Sequence, residues 1–319
     1  MCFDIQREQE LFHGWSDSST VPSPELLPGG KESRYKTGPY GKGRGLDYFV
    51  NKAGGIDIII GGPPCQAYSI AGRVRDENGM RDDYRNYLFE HYLSVVKRYK
   101  PKVFVFENVP GLLSAMPDGT PIAALIRRGF HRVGYEIVDD IKRDAKINAS
   151  DYGVAQHRER LIILGIRKDV CGSPQTLLQR FYRDILPKYK VSKKRTVEEA
   201  IGDLPAIYPI TGEKASPQRI SYTRPDCKTT WHRARRHSLR DVEIYGMLAE
   251  DISSGRNEYA DSAALSELYE KRVGASSPIH RYHLLRMGEP GTTIISHLDR
   301  DGNRFIHYDP RQSRDITPR

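Results

Sequence analysis

Short apolar runs alternate with amphipathic stretches from about residue 56 onward, and this alternation predicts an α/β fold. The run from Ile56 to Ile60 is β-branched and is followed by the turn Gly61-Gly62-Pro63-Pro64, which is typical of a buried strand. Residues 87–99 carry apolar side chains at helical spacing, and residues 103–106 form a second apolar run. Strand, helix, strand in this order predicts a βαβ unit with a parallel sheet.

Further elements follow the βαβ unit. The pattern predicts a helix over 121–131, strands over 135–141 and 160–166, and a helix over 175–189. Thr196-Val197-Glu198-Glu199 has the residues of a capping box, which predicts a helix start. We place a domain boundary near residue 195 and interpret the hundred residues after it as irregular.

Residues 1–50 contain little periodicity. They are polar and rich in Gly, Ser and Pro, so we interpret them as loop or poorly ordered chain. In the whole sequence 38% of residues are hydrophobic and 29% are charged, and no stretch approaches a signal or membrane segment.

Cysteine usage and net charge narrow the function classes. The four cysteines are far apart and form no C-x-x-C pair, so neither a zinc site nor a disulfide framework is indicated and a reducing cytoplasm fits best. The net charge of +9 would attract nucleic acid. Cations are densest around His232 and His237, where the sequence has Arg233, Arg235, Arg236 and Arg240. This density suits phosphate contacts, and it suits a solvated charged face equally well.

Two sequences that can carry chemistry follow predicted strands. Gly61 to Gln66 reads G-G-P-P-C-Q, and Glu107-Asn108-Val109 follows the second strand. Ligands of open α/β sheets bind beyond the carboxyl ends of strands. Cys65, held by two prolines, could point into a cleft as a nucleophile, although a lone cysteine is more often a core residue. Glu107 at a cleft edge could act as an acid, or serve as a helix cap or ion-pair partner.

A third sequence combines amide and guanidinium groups. Gln156, Arg158 and Arg160 alternate along a predicted extended strand, so period-two alternation would place them on one side. Two aligned guanidinium groups suit an anion or a ring carbonyl.

Together these sequences resemble three signature motifs of the cytosine-5 methyltransferase family, in the family's order. The matching residues are Pro63-Pro64-Cys65-Gln66, Glu107-Asn108-Val109 and Gln156-x-Arg158-x-Arg160, with Ala67-Tyr68-Ser69 and Arg85-Asn86-x-Leu88-Phe89 as additional matches. The resemblance runs from about Gly55 to Arg167. It implies a Rossmann-like, S-adenosylmethionine-dependent methyltransferase sheet with helices on both faces, plus a smaller irregular target recognition domain.

The resemblance also implies a reaction on DNA. Cys65 would add to carbon 6 of a flipped cytosine, and a methyl group from S-adenosylmethionine would go to carbon 5. Glu107 would hydrogen-bond ring nitrogen 3 and the exocyclic amine, while Arg158 and Arg160 hold the base carbonyl and a phosphate. Double-stranded DNA would be contacted by Gln66, Ser69, Gln156, Arg233, Arg235 and Arg236. The cofactor would be contacted by Pro64 and Leu88.

Under this resemblance the chain divides into four expected parts. They are a polar N-terminal segment at 1–50, a catalytic methyltransferase domain at 51–195, a target recognition domain at 196–290, and the start of the return to the catalytic domain at 291–319. We expect a bacterial cytoplasmic protein of a restriction-modification system.

The sequence departs from the family at both ends. No strand with an F-x-G-x-G turn precedes Gly55, and Gly41-Lys42-Gly43-Arg44-Gly45 is a poor match to it. The motif that begins at Gly291 stops before its closing helix. We therefore expect weakened cofactor binding by this chain alone, which a complementing subunit with the missing motifs would restore. The alternatives are a catalytically incomplete DNA-binding fragment and a transfer-RNA cytosine-5 methyltransferase.

Overall fold

The computed structural model describes residues 8–14, 44–64, 88–116, 119–212, 219–225, 229–274, 282–295 and 302–319. The chain divides into two compact units, one formed by residues 1–147 and 159–189 and the other by 148–158 and 190–319. Naming these units by function stays a prediction. Within the described ranges, no helix has the length and apolar character needed to cross a membrane.

A mixed β-sheet forms the centre of the first unit. Its strands are β1 (Ile58–Gly61), β2 (Val103–Asn108), β3 (Tyr135–Ile137), β4 (Lys146–Asn148) and β5 (Glu159–Arg167). The order is β1-β2-β5-β3, with β4 paired to β5. β1 and β2 are parallel, whereas β5 is antiparallel to both β2 and β3. The predicted βαβ unit is confirmed, but the sheet beyond it is mixed rather than parallel.

The described part of the first unit contains five α-helices, and those after residue 88 lie close to their predicted positions. They are α1 (Glu8–His13), α2 (Leu46–Lys52), α3 (Phe89–Tyr99), α4 (Ile122–Arg132) and α5 (Pro174–Arg180). α5 continues into a π-helical turn and a 3-10 turn that end at Tyr189, so the helical segment predicted over 175–189 is confirmed. β3 is shorter than predicted.

Aromatic rings join α3 and α4 to one face of the sheet. The rings of Tyr92 and Phe130 contact Phe104 and Phe106 of β2, and Phe104 stacks on Phe130 with centroids 4.1 Å apart. A Cβ at Gly165 would lie 2.1 Å from the Phe104 ring. Only glycine at position 165 of β5 therefore leaves room for the Phe104 ring to pack in the core.

β1 is less buried than its apolar sequence predicts. Ile59 packs on the core, but Ile58 and Ile60 are 54% and 75% exposed. Alternate side chains of a strand face opposite sides of a sheet, so the helices that cover Ile59 cannot cover its two neighbours.

The interpretation of residues 1–50 as loop is wrong for two segments. α1 and the start of α2 lie in this range, and Asp47 of α2 accepts hydrogen bonds from Arg98 and Tyr99 of α3, each 2.8 Å long. The Arg98 guanidinium holds the pKa of Asp47 at about 2. This anchor between distant segments explains why local periodicity did not reveal the helix.

The second unit is more helical than predicted. α6 (Val197–Ile201) begins with the predicted capping box at Thr196 and Glu199. The segment interpreted as irregular contains α7 (Leu239–Ser253) and α8 (Ser262–Val273), whose first turns are capped by Ser238 and Asp261. Their shared core includes Tyr245, Leu248, Leu268 and Tyr282. The cap residues and apolar spacing of both helices were visible in the sequence and were overlooked.

Candidate active site

Two strand ends of the first unit are tied together by one amide side chain. Asn108, 2% exposed at the end of β2, donates from Nδ2 to the carbonyl of Pro63 (3.4 Å) and accepts from the backbone N–H of Val109 (2.9 Å). Asn108 therefore holds the turn that leaves β1 next to the turn that leaves β2.

Tyr92 of α3 contacts the same two strands. Its hydroxyl lies within hydrogen-bond distance of the carbonyls of Val105 (2.9 Å) and Ile59 (3.3 Å). Burial raises the pKa of the Tyr92 hydroxyl, which keeps it protonated and able to donate. A side chain at Gly61 would collide with the Tyr92 ring, since its Cβ would lie 2.7 Å from a ring carbon.

Glu107 lies beside Asn108 with one carboxylate oxygen occupied. Its Oε1 is 2.8 Å from Nε of Arg160, whose side chain is 19% exposed. Arg160 also donates from Nη1 to the carbonyl of Glu159 (2.7 Å), so the guanidinium is held at two points. The Glu107 side chain remains 41% exposed and is therefore open to a ligand.

The second oxygen of Glu107 faces the backbone of Gly62. A Cβ at this glycine would lie 2.5 Å from Oε2, closer than any ordinary contact. The carboxylate is thus confined between Arg160 on one side and the β1 turn on the other. An acid that is oriented by an ion pair and partly exposed can exchange hydrogen bonds with a flat polar ring.

The remaining residues predicted near this site fall into two groups. Cys65, Gln66 and Ser69 lie outside the described residues. Pro64 is exposed at the end of the described turn, whereas Leu88 is buried, 6% exposed, just before α3. Cofactor contacts by these two residues stay predictions.

The predicted alternation of Gln156, Arg158 and Arg160 along one strand is wrong. β5 begins only at Glu159, and Gln156 and Arg158 belong to the second unit. Gln156 instead forms a parallel bridge with Gly291, and Nη1 of Arg158 donates to the carbonyl of Ile294 (3.4 Å). Gln156 thus pairs with a segment more than a hundred residues away, and Arg160 is the only one of the three residues that lies in β5.

The predicted cationic cluster in the second unit is partly internal. His232 and His237 are buried, at 3% and 4% exposure, and Arg235 forms an ion pair with the buried Asp315 (3.2 Å). Arg233 and Arg236 are exposed. The ion pair gives Arg235 a structural role, and DNA contacts by these arginines stay predictions.

Sequence reasoning missed three residues that shape these sites. Gly62 and Asn108 enter the sequence analysis only as parts of motifs, and Asp315 is not singled out there. The available signals were the position of Asn108 directly after the candidate acid and that of Gly62 in the turn before Cys65. Asp315 carried no signal, because its partners lie 78 and 80 positions away in the chain.

Comparison with known proteins agrees with the motifs. The family model described as C-5 cytosine-specific DNA methylase matches residues 33–319. A type II methyltransferase of Bacillus paralicheniformis is 31% identical over 289 residues, which cover 84% of this chain and 62% of the relative. A type II methyltransferase of Xanthomonas oryzae is 41% identical over 151 residues, covering 47% of this chain and 30% of the relative.

A solved structure gives a looser similarity. That protein, a candidate DNA modification methyltransferase of an Escherichia coli prophage, is 24% identical, covers 85% of this chain and 68% of its own, and superposes with a TM-score of 0.42. The chain spans less than two thirds of the two relatives named above. The family model nevertheless matches nearly the whole chain, in agreement with the mixed α/β sheet and the three motifs. The chain belongs to the C-5 cytosine-specific DNA methylase family.

Proposed function

We propose that this protein is a DNA (cytosine-5)-methyltransferase of a restriction-modification system, with Cys65 as nucleophile and Glu107 as the acid at ring nitrogen 3. One observation carries the proposal. Asn108 ties Pro63, two residues before Cys65, to the strand end that bears Glu107. A thiol and a carboxyl group positioned from adjacent strand ends can act on opposite parts of one pyrimidine.

The chemistry needs both groups because carbon 5 of cytosine is a poor nucleophile. The Cys65 thiolate would form a bond to carbon 6, and the displaced electron pair would make carbon 5 enamine-like. Glu107, held by Arg160 at Oε1, would stabilise this adduct by hydrogen bonds to nitrogen 3 and the exocyclic amine. The target base must leave the duplex stack to reach these groups.

The methyl group would come from S-adenosylmethionine when it is bound. Of the acids between residues 44 and 64, Asp47 is held by Arg98 and Tyr99, whereas Asp57 pairs with Lys102 at 3.0 Å and its side chain is 74% exposed. These contacts do not assign either carboxylate to a ribose, so we assign no step to the cofactor. We propose that a complementing subunit would contribute the missing cofactor motifs.

The lack of an F-x-G-x-G turn before Gly55 favours a second candidate function, a DNA-binding chain that holds no methyl donor and is catalytically incomplete. A third candidate, the transfer-RNA enzyme of the same family, differs only in the polymer. Covalent trapping tests the Cys65 chemistry and the choice of polymer without a methyl donor, and calorimetry with S-adenosylhomocysteine tests the donor site, where measurable affinity favours the enzyme. A ring nitrogen in place of carbon 5 makes carbon 6 more electrophilic, so DNA containing 5-azacytosine can trap a cysteine adduct directly.

We expect the full chain to form a denaturant-resistant adduct with 5-azacytosine duplex DNA. Cys65→Ser should abolish it, because a hydroxyl is far less acidic than a thiol. Cys171→Ser is the matched control, since this half-buried cysteine lies outside the site, and it should trap like the wild type. Undiminished trapping by Cys65→Ser would contradict the proposal. DNA binding without any adduct would favour the incomplete chain, and a faster adduct with substituted transfer RNA would favour the RNA enzyme.

A further inference from the structure

A short basic loop of the second unit is anchored at both ends by buried histidines. At one end, His232 Nε2 is 2.7 Å from the carbonyl of Pro205, and His232 Nδ1 is 3.0 Å from the Thr317 hydroxyl. At the other end, His237 Nε2 is 3.0 Å from a carboxylate oxygen of the buried Asp315. Both ring nitrogens of His232 are thus used to hold the loop in place.

The side chains between these anchors differ in direction. Arg235 points in with His237 and binds the other oxygen of Asp315 at 3.2 Å. Arg236 is exposed between them, and Arg233 is exposed nearer the start of the loop. The backbone N–H of Ile220 donates to the carbonyl of His237 (2.8 Å), which pairs the loop end with a neighbouring segment. The outward arginines are therefore presented by a supported backbone.

Trp231 stands at the start of this loop and is exposed to an unusual extent. Its exposure is 76%, the highest among the exposed large hydrophobic residues of the described part of the chain. Its φ is 65°, a left-handed conformation that a bulky residue rarely adopts. The N–H of Arg233 donates to the Trp231 carbonyl (3.0 Å), so Trp231 and Arg233 belong to one tight turn.

An exposed indole that precedes two exposed arginines in one loop suits a ligand that is both anionic and built of flat rings. Nucleic acid has phosphates for the two arginines and base faces on which an aromatic ring stacks. Under the proposed function, a base leaves the duplex and exposes the faces of its neighbours. The supported backbone would limit the entropy lost when these side chains become ordered on DNA.

We propose that Trp231 is a DNA-contacting residue that stacks on a base of the distorted duplex, with Arg233 and Arg236 on flanking phosphates. The inference depends on the proposed function for its substrate, double-stranded DNA. It adds a specific aromatic contact, which the sequence motifs do not assign.

The test uses the full chain and linearised plasmid DNA, which is long enough to contain most short recognition sequences. The chain has two tryptophans, so Trp15→Phe leaves Trp231 as the only indole reporter. Its fluorescence should be quenched on DNA binding. Trp231→Ala should weaken DNA affinity about 10-fold to 100-fold, the range for loss of one base-stacking contact, and Trp231→Phe should recover most of it.

Tyr189→Ala is the matched control, because this aromatic is 71% exposed in the first unit, and its DNA affinity should be unchanged. The salt dependence of binding adds a second readout. Arg233→Ala and Arg236→Ala should each reduce the slope of log affinity against log salt, whereas Trp231→Ala should leave the slope unchanged.

Two results would overturn the assignment of Trp231. One is a DNA affinity of Trp231→Ala within twofold of the wild type, and the other is no change in Trp231 fluorescence at saturating DNA. Failure of the wild type to bind DNA would overturn it as well. Covalent trapping keeps the two proposals apart. A 5-azacytosine adduct with no effect at Trp231 would leave the proposed function standing alone, and the Trp231 effect without an adduct would leave only the DNA contact.

Discussion

Gly62→Ala tests how closely the β1 turn confines the candidate acid. The added Cβ would lie 2.5 Å from Oε2 of Glu107, whereas ordinary contacts begin at 3.4 Å. The carboxylate must therefore move by roughly the difference, 0.9 Å. The backbone carbonyl and Cβ of Glu107 would be 3.4 and 3.6 Å away, so the displacement falls on the end of the side chain.

This displacement should affect chemistry more than stability. Glu107 is 41% exposed and can turn its carboxylate away, so the free energy of unfolding should change by less than about 1 kcal/mol. A reacting group misplaced by about 1 Å can cost about a hundredfold in rate. We therefore expect a loss of about that size in the rate of adduct formation with 5-azacytosine DNA, measured with DNA in excess.

A glycine without neighbours provides the control. A Cβ at Gly172 meets no atom within 4 Å, and its φ lies outside the left-handed region, so Gly172→Ala should keep both rate and stability. The cause is tested in a Glu107→Ala background, where Gly62→Ala should add little because the displaced group is gone. An equal rate loss from Gly62→Ala with and without Glu107 would refute the steric argument.

Two further predictions concern a positioning residue and a buried base. Arg160→Lys keeps the charge, but an ammonium group cannot bind both the Glu107 carboxylate and the Glu159 carbonyl in the same geometry. We therefore expect adduct formation to slow about 10-fold or more. An unchanged rate would show that Arg160 does not orient the acid. Burial and the charge of Arg314 lower the pKa of His307 to about 3. Between pH 6.5 and pH 3, His307 is therefore protonated in the unfolded chain but not in the folded chain. The free energy of unfolding that neutral His307 contributes is complete above pH 6.5 and falls by about 2 kcal/mol at pH 5. In His307→Asn, the amide oxygen can still accept from the N–H of Asp309. Measured by urea unfolding, this variant should lose less stability between pH 7 and 5 than the wild type. Parallel pH profiles would show that His307 does not cause the loss of stability.

Local sequence determined several elements of the first unit, among them β1 and α3, and the order of the motifs along the chain. The β-branched run before Gly61 and the helical spacing before Lys100 correspond to β1 and α3. The capping box at Thr196 correctly predicted the start of α6. These features depend on side-chain periodicity and on hydrogen bonds within one turn, which neighbours in the chain decide.

Tertiary structure decided which functional groups meet. Arg160 reaches Glu107 across 53 positions because β5 runs antiparallel to β2, and no local pattern specifies that pairing. The inward turn of Arg235 and the outward turn of Arg236 depend on where Asp315 is buried. Periodicity shows that neighbouring side chains face opposite ways, but only long-range packing determines which of them meets a partner and which meets solvent.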